Sequence, residues 1–270
     1  MLWLPVTPGE QLFLYLFERL GHKLSFQWTT EAGIDSMDFL FNPVRFQEFT
    51  QLSVSLEVFL RAIRSARAIY AQAPNTNPSD FARTIRRDLD LPSTFTNDKN
   101  FGEIAKRAGR VAHEVARDTG LEKSVLRAER KQCYLCGEKL DQAHNPRSKS
   151  SIEHIWPLSL GGETVESNLI PACKDCNDKR QHMVTWAWGP VQSTFEELTT
   201  SDTNPNGAVR LSLGLGKIML KAQGIEGKPN TKTTLKEAAQ HVWPAIPGLK
   251  LKTKHSYIYF EYFQEMENTL

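Results

Sequence analysis

Four cysteines stand in two pairs with the spacing of metal-binding turns. The pairs are Cys133/Cys136 and Cys173/Cys176, each a C-x2-C, and the chain has no other cysteine. Four thiolates in this pattern are typical of one zinc ion that ties two turns together, whereas two disulfides do not suit a reducing cytosol. A zinc ion with four thiolate ligands has no open coordination position. We therefore expect this metal to be structural and not catalytic.

An acid–histidine pair, Glu153-His154, lies between the two cysteine pairs. Hydrolysis of a phosphodiester requires an activated water molecule, a cation at the scissile phosphate and in-line geometry. Histidine suits the role of general base because its ordinary pKa lies near neutral pH. A plain zinc-binding recognition module would account for the cysteines but not for this pair.

The ordered set of motifs resembles the HNH family of ββα-metal endonucleases, in the subgroup that is held together by a structural zinc. The matching segments, in family order, are Cys133-Tyr134-Leu135-Cys136-Gly137, Ser151-Ile152-Glu153-His154-Ile155-Trp156-Pro157-Leu158, Gly161-Gly162, Ser167-Asn168-Leu169-Ile170 and Cys173-Lys174-Asp175-Cys176-Asn177-Asp178-Lys179. They cover about a fifth of the chain. The resemblance implies a metal-dependent endonuclease that hydrolyses DNA and leaves 5′-phosphates.

The resemblance also assigns roles to four residues. His154 takes the position of the general base, and Glu153 takes that of the acidic residue that binds the divalent metal. Asn168 takes that of the asparagine that holds the loop between the two strands and so orients the histidine. Asn177 stands at the third motif position, where its carbonyl oxygen would ligate the metal.

The motif differs from the family pattern His-Asn-His at its third position, since His154, Asn168 and Asn177 make it His-Asn-Asn. Oxygen ligands from Glu153 and Asn177 suit the hard cations Mg²⁺ and Mn²⁺. His182, five positions after Asn177, stays open as an alternative ligand. We expect Lys179 and Arg180 to contact phosphate, although a solvated helix end is an equally good interpretation of these two charges.

The fold class expected from the pattern is α+β, in three regions. A mainly helical region over 1–130 would dock DNA or a partner, the nuclease module would occupy 131–190, and a small mixed region would fill 191–270. A capping box at Thr7 to Glu10 predicts a first helix that begins at Pro8 and ends near Gly21. Further helices are predicted from Pro43 to the segment before Pro74, from Pro78 to about Leu89, and from about Asn97 to Thr119 with Gly120 as its C-terminal cap, and a fifth helix leads into the cysteines. The last two are Ala208 to Gln223 and a capped helix from Thr234 to Val242. Tyr257 to Phe260 is either a strand or a buried helix.

Within the module we expect a ββα arrangement with a structural zinc. The two strands are predicted at Ile152 to Ile155 and at Leu169-Ile170, and the helix at Cys176 to about Met183. The tryptophans of this segment should pack around the small unit, with base stacking by one of them as the less favoured alternative; they are Trp156, Trp186 and Trp188.

Composition limits the interpretation of the rest. The net charge of +2 does not by itself indicate a nucleic-acid-binding protein, so any basic surface must come from local clustering. The stretch from Arg61 to Arg87 is rich in arginine, which fits either solvated helix faces or contacts to the DNA backbone. No segment has the length and apolarity of a membrane span, and we expect a cytoplasmic protein.

Three functions are consistent with the sequence. The first is a DNA endonuclease that nicks as a monomer and cuts both strands as a homodimer, as in bacterial restriction or anti-phage defence. The second is a catalytically weak, zinc-dependent nucleic-acid-binding module. The third is an effector subunit that a partner such as an ATPase or a sensor activates. The target sequence and the choice between DNA and RNA stay open.

Overall fold

The fold is that of a computed structural model, which describes residues 2–21, 43–95, 99–140, 149–186, 207–224 and 231–247. Most of the described residues are helical, and two short antiparallel strands form a sheet inside the predicted nuclease module. The α+β class is confirmed. The predicted segment Tyr257 to Phe260 and Trp188 lie outside the described residues. None of the described helices is long and apolar enough to cross a membrane.

The N-terminal helices follow the capping signals of the sequence. They are α1 (Pro8–Gly21), α2 (Pro43–Gln72), α3 (Pro78–Leu89), α4 (Lys99–Glu114) and α5 (Thr119–Ala128). The capping box that was predicted at the start of α1 is confirmed, since the Thr7 and Glu10 side chains each accept a hydrogen bond from the other's backbone N–H. The Asn77 side chain caps α3, which begins with Pro78.

The predicted fourth helix ends earlier than expected. It is predicted from about Asn97 to Thr119, but α4 ends at Glu114, and α5, the helix predicted to lead into the cysteines, begins at Thr119. Val115 adopts a left-handed backbone conformation with φ of 46°. The Asp118 side chain then caps α5 by accepting hydrogen bonds from the backbone of Gly120 and Leu121. The boundary between the two predicted helices is misplaced because Gly120 was interpreted as the C-terminal cap of the fourth, whereas Asp118 is the N-terminal cap of the fifth.

The predicted module contains β1 (Ser150–His154), β2 (Leu169–Cys173) and α6 (Lys174–Arg180). The ββα order is confirmed, although β1 and the helix begin two residues earlier than expected and β2 extends beyond Ile170 to Cys173. Beyond the module, α7 spans Gly207–Gln223 and α8 spans Leu235–His241. The predicted cap at Thr234 is confirmed, and it is a capping box formed with Glu237. Leu4 donates a backbone hydrogen bond to Thr233, so the N-terminus pairs with the chain before α8.

The larger of two hydrophobic clusters among the described residues joins the helical region to the module. Trp156 is completely buried, and its indole contacts the rings of Trp3, Phe13 and Phe59 at centroid distances of 6.1, 5.8 and 5.4 Å. Gly9 packs tightly against this tryptophan and against the loop that follows it. A Cβ added at Gly9 would lie 2.3 Å from the indole nitrogen of Trp156 and 2.0 Å from the carbonyl oxygen of Leu160. The loop after β1 is therefore anchored in the helical layer and not only in its own small unit.

Candidate active site and metal centre

The four cysteine sulfurs form one cluster. The Sγ atoms of Cys133, Cys136, Cys173 and Cys176 all lie within 4.8 Å of one another. Those of Cys136 and Cys173 are 3.8 Å apart. A tetrahedral zinc with Zn–S bonds of about 2.3 Å places its sulfurs about 3.8 Å apart, so the cluster fits the ion. The predicted zinc site is thus supported by the positions of all four ligands.

The first cysteine turn is closed by a glycine and covered by the segment after α8. Gly137 closes it with φ of 78°, a conformation that suits glycine. The backbone N–H groups of Ala245 and Ile246 donate to the carbonyls of Tyr134 and Leu135, at 2.8 and 2.7 Å. The segment after α8 therefore covers the turn that carries half of the zinc ligands.

The strand β1 presents its side chains to two different helices. It pairs with β2 in antiparallel register, with Glu153 opposite Ile170 and His154 opposite Leu169. Because side chains alternate along a strand, His154 shares one face with Ile152, and Glu153 lies on the other. The face of Ile152 packs against Val125 of α5, and the opposite face meets α6. The predicted base and the predicted metal ligand thus lie on opposite faces of the strand.

The histidine is held in one tautomer. Its Nε2 atom lies 3.0 Å from Oγ1 of Thr164, and this hydroxyl donates to the carbonyl oxygen of Ala116 at 2.9 Å. A threonine hydroxyl has a single proton, so it can only accept from the imidazole, which must carry its proton on Nε2. The Nδ1 atom of His154 is consequently the unprotonated nitrogen.

The histidine is also kept neutral. Burial lowers the pKa of His154 to about 4, and the positive charges of Arg117 and Arg180 act in the same direction. The carboxylate of Glu122 opposes this shift. An imidazole with this pKa is neutral at physiological pH, so its Nδ1 atom can take a proton from water.

Asn168 holds the loop that follows β1. Its side-chain oxygen accepts from the backbone N–H of Trp156 at 2.7 Å, and its amide nitrogen donates to the carbonyls of Trp156 and Glu163 at 3.0 and 2.9 Å. The side chain is 1 % exposed, so these bonds are shielded from water. Asn168 thereby connects the end of β1 with the loop that supplies Thr164.

Glu153 is buried in a polar network below the strand. Its Oε1 atom accepts from the Tyr134 hydroxyl at 2.9 Å and pairs with the guanidinium of Arg180. Its Oε2 atom is buried and has no hydrogen-bond partner among the described residues. Burial raises the pKa of the Glu153 carboxyl, and the charge of Arg180 opposes that rise.

Asn177 lies on the same side of the strand as Glu153. Its amide nitrogen donates to Oγ of Ser151 at 2.7 Å and to the carbonyl oxygen of Ile152 at 3.1 Å. Ser151 and Glu153 share a face of β1, since they are two residues apart. Both hydrogen bonds use the amide nitrogen, so the side-chain carbonyl oxygen of Asn177 takes part in neither of them.

The two basic residues at the end of α6 differ from each other. Lys179 is partly exposed and pairs with Asp175 at 2.9 Å. The side chain of Arg180 is fully buried, where it donates to Glu153 and to the carbonyls of His154 and Ile155 and stacks over the ring of Trp186. We expected Arg180 to contact phosphate, and the structure instead gives it partners inside the protein.

Other predicted residues are placed as follows. His182 accepts or donates a hydrogen bond through Nδ1 to the hydroxyl of Ser159 at 2.6 Å, beside the loop after β1. Burial and the charge of Arg180 lower the pKa of His182.

Trp156 and Trp186 are buried, in agreement with packing around the module and not with base stacking. In the arginine-rich stretch, Arg61 and Arg83 pair with acids on their own helices.

Several residues of the site carried no recognisable sequence signal. Thr164 and Tyr134 are not distinctive by type, and only the fold brings their hydroxyls to His154 and Glu153. Arg117 and Glu122 lie before the first cysteine pair, in a stretch where alternating charges look like a solvated helix surface. Their proximity to His154 depends on the turn at residues 115–118 between α4 and α5, whereas the sequence pattern places that break at Gly120.

A comparison with protein families finds a match over part of the chain. Residues 133–188 match the family model described as HNH endonuclease. The resemblance inferred from the motifs is thereby confirmed: this segment is similar to HNH endonuclease domains. No curated protein and no solved structure matches the chain.

Proposed function

We propose that the protein is a metal-dependent endonuclease that hydrolyses phosphodiester bonds of DNA, with His154 as the general base. The observation that supports this most directly is the state of the imidazole. It is neutral because of its lowered pKa, its Nε2–H is held by Thr164, and its Nδ1 atom is left as the proton acceptor. The match of residues 133–188 to HNH endonucleases supports the same assignment.

In the proposed reaction, Nδ1 of His154 removes a proton from a water molecule as its oxygen attacks phosphorus. The new P–O bond forms while the bond from phosphorus to the 3′-oxygen breaks, and the departing 3′-oxygen takes a proton from solvent water, so the products carry a 5′-phosphate and a 3′-hydroxyl. Asn168 keeps the loop after β1 in place during this step, and Thr164 prevents the imidazole from changing its tautomer. General-base catalysis of this kind contributes typically about 10²–10⁴-fold to a rate.

A divalent metal would be held by oxygen atoms on the other side of β1. The unpartnered Oε2 atom of Glu153 and the carbonyl oxygen of Asn177 are hard donors on the same face, which fits Mg²⁺ or Mn²⁺. Such an ion, when bound, supplies positive charge to the phosphate and to the leaving oxygen. Zinc, by contrast, would stay in the cysteine cluster as a structural ion.

A plasmid assay tests the proposal. Purified protein with Mg²⁺ or Mn²⁺ is expected to convert supercoiled DNA to the nicked circle, because one active site cuts one strand. Linear product would then indicate a homodimer or two independent events. His154→Ala is expected to abolish nicking, whereas His241→Ala, at the exposed end of α8, is the matched control and should leave it unchanged. Nicking that survives His154→Ala would overturn the assignment of the base.

A second candidate is a zinc-dependent nucleic-acid-binding module whose catalysis is weak. In one form of this candidate, a protein partner such as an ATPase or sensor of a bacterial defence system activates the enzyme. The buried ion pair of Glu153 with Arg180 favours it, because a divalent cation would have to bind next to a guanidinium. This candidate predicts that the protein binds DNA at concentrations where no nick forms in any of the metals. RNA cleavage without DNA cleavage would reassign the substrate.

A further inference from the structure

The turn between α4 and α5 reaches the histidine from outside the matched domain. It comprises residues 115–118, whereas the family match begins at residue 133. The carbonyl oxygen of Ala116 accepts the hydroxyl proton of Thr164, and Thr164 accepts from the imidazole of His154. Two consecutive hydrogen bonds therefore connect this turn to the proposed base.

The turn is held in a conformation that its sequence does not favour. Val115 is β-branched, yet it has φ of 46°, and its side chain is 42 % exposed. A β-branched residue in the left-handed region is a genuine outlier, and the surrounding structure must maintain it. Here the bond from Val115 N–H to the Val111 carbonyl and the bond from Thr164 to Ala116 hold the turn on both sides.

The turn presents Arg117 in a fixed orientation. The guanidinium donates from Nε and Nη2 to the two carboxylate oxygens of Glu122, at 2.8 and 2.7 Å. Glu122 is 8 % exposed, whereas the side chain of Arg117 is 55 % exposed. A bidentate pair of this kind fixes a planar guanidinium and leaves its outer edge for another ligand. Among the described residues, Nη1 of Arg117 has no partner.

Both side chains of this pair act on the histidine electrostatically. The negative charge of Glu122 raises the pKa of His154, and the positive charge of Arg117 lowers it. Charges that act on a titrating group in this way lie near it. An exposed, pre-oriented guanidinium thus lies near the imidazole, on the residue that follows Ala116, whose carbonyl is two hydrogen bonds away from His154.

From this arrangement we infer that Arg117 binds a phosphate group of the nucleic-acid substrate, at or next to the scissile bond, and that Glu122 is its positioning residue. The inference rests on the proposed nuclease function and adds a substrate ligand to it. Nη1 would donate to a non-bridging phosphate oxygen. A guanidinium matches this group in shape and charge, and its position would not have to change as negative charge develops on those oxygens.

A binding experiment tests this inference separately from cleavage. In the His154→Ala background, without added divalent metal, the Kd of a fluorescein-labelled DNA duplex is measured by anisotropy over a series of salt concentrations. Arg117→Ala is expected to weaken binding about tenfold at low salt and to reduce the slope of log Kd against log salt by about one. Arg19→Ala removes an exposed arginine at the far end of α1 and should leave the slope unchanged.

Two further variants distinguish charge from orientation. Arg117→Lys keeps the charge, so it should restore the salt slope but not the full kcat of the enzyme with its metal. Glu122→Gln should likewise keep the slope while kcat falls, because the guanidinium is still charged but less firmly oriented. An unchanged slope and an unchanged kcat/KM in folded, zinc-loaded Arg117→Ala would overturn the inference.

The two proposals can fail independently. If the parent protein makes no nick in any metal, yet Arg117→Ala reduces the salt slope, the nuclease proposal fails and the phosphate site stands. If the parent protein nicks plasmid and Arg117→Ala changes neither binding nor cleavage, the nuclease proposal stands and the phosphate site fails.

Discussion

The Nε2 atom of His154 lies 3.0 Å from the hydroxyl oxygen of Thr164, whose only proton is given to the carbonyl of Ala116. This relationship decides which imidazole nitrogen can act as a base. It also joins three separate parts of the chain, namely strand β1, the loop after it and the turn before α5. The threonine is therefore a positioning residue for the proposed reaction, although it does not contact the scissile phosphate in this role.

The first prediction concerns Thr164→Val, which keeps the shape of the side chain but removes its hydroxyl. The imidazole would then lose the acceptor that fixes its tautomer, and we expect kcat for plasmid nicking to fall roughly 10–100-fold, within the range that general-base catalysis contributes. Thr164→Ser retains the hydroxyl and should keep most of the activity. Equal losses in both variants would mean that packing, and not the hydrogen bond, explains the effect.

A second prediction follows from the lowered pKa of His154. The base is active only when neutral, so kcat/KM should be lost as pH falls through a value of about 4. Between pH 7.5 and 5.5 it should change little, whereas a histidine with its ordinary pKa would lose about tenfold. The measurement is initial nicking rate at low DNA concentration over this range. A midpoint near 6.5 would contradict the prediction.

The same shift should make the folded protein sensitive to acid. The pKa of His154 is about 4 in the folded protein and about 6.5 when unfolded, so the unfolded chain binds the proton first. Stability is therefore fully present above pH 6.5 and declines as pH falls from there toward 4. Between pH 7 and 5 we expect this group to remove about 2 kcal/mol from the free energy of unfolding.

Urea unfolding at the two pH values measures this third prediction. His154→Gln does not titrate and should lose about 2 kcal/mol less than the parent protein between pH 7 and 5. The comparison cancels other titrating groups that both proteins share. The charged groups around the imidazole, Glu122 on α5, Arg117 before it and Arg180 on α6, stay in both proteins. An equal loss in both would show that His154 is not the group responsible.

The zinc cluster and the ββα order could be predicted from sequence because local spacing encodes them. Cysteine pairs, the acid–histidine pair and Asn168 each stand in a segment whose geometry depends on near neighbours. Arg180 could not be assigned correctly, since nothing in the neighbouring sequence indicates that its side chain points toward the buried carboxyl of Glu153. The role of Arg117 could not be predicted either, because contacts between distant segments of the chain, and not residue spacing in the sequence, bring it near His154.

A fourth prediction concerns the metal cluster. Zinc should be present at one ion per chain, measured by atomic emission, and Cys173→Ser should lower that content. The ion ties the start of α6 to the first cysteine turn, and apparent free energies of structural zinc sites are about 10–16 kcal/mol. Its loss should therefore unfold the module and abolish nicking. Added zinc should restore the chelated protein, whereas Mg²⁺ alone should not.

The fifth prediction separates the two basic residues that end α6. Arg180→Met leaves the carboxylate of Glu153 buried without its partner, and breaking such a pair typically costs about 3–5 kcal/mol of stability. Lys179→Ala removes a partly exposed ion pair with Asp175, which should cost about 1 kcal/mol or less. Urea unfolding at pH 7 measures both changes.

Binding and a double variant complete this comparison. If Lys179 contacts phosphate, Lys179→Ala should reduce the salt slope of DNA binding by about one. In Arg180→Met/Glu153→Gln the buried charge is gone together with its partner, so the double variant should be destabilised by less than the sum of the two single variants. Additive losses would show that the two side chains do not form the pair. A salt slope reduced by about one in the folded double variant, which lacks the positive charge, would return Arg180 to the surface as a phosphate contact.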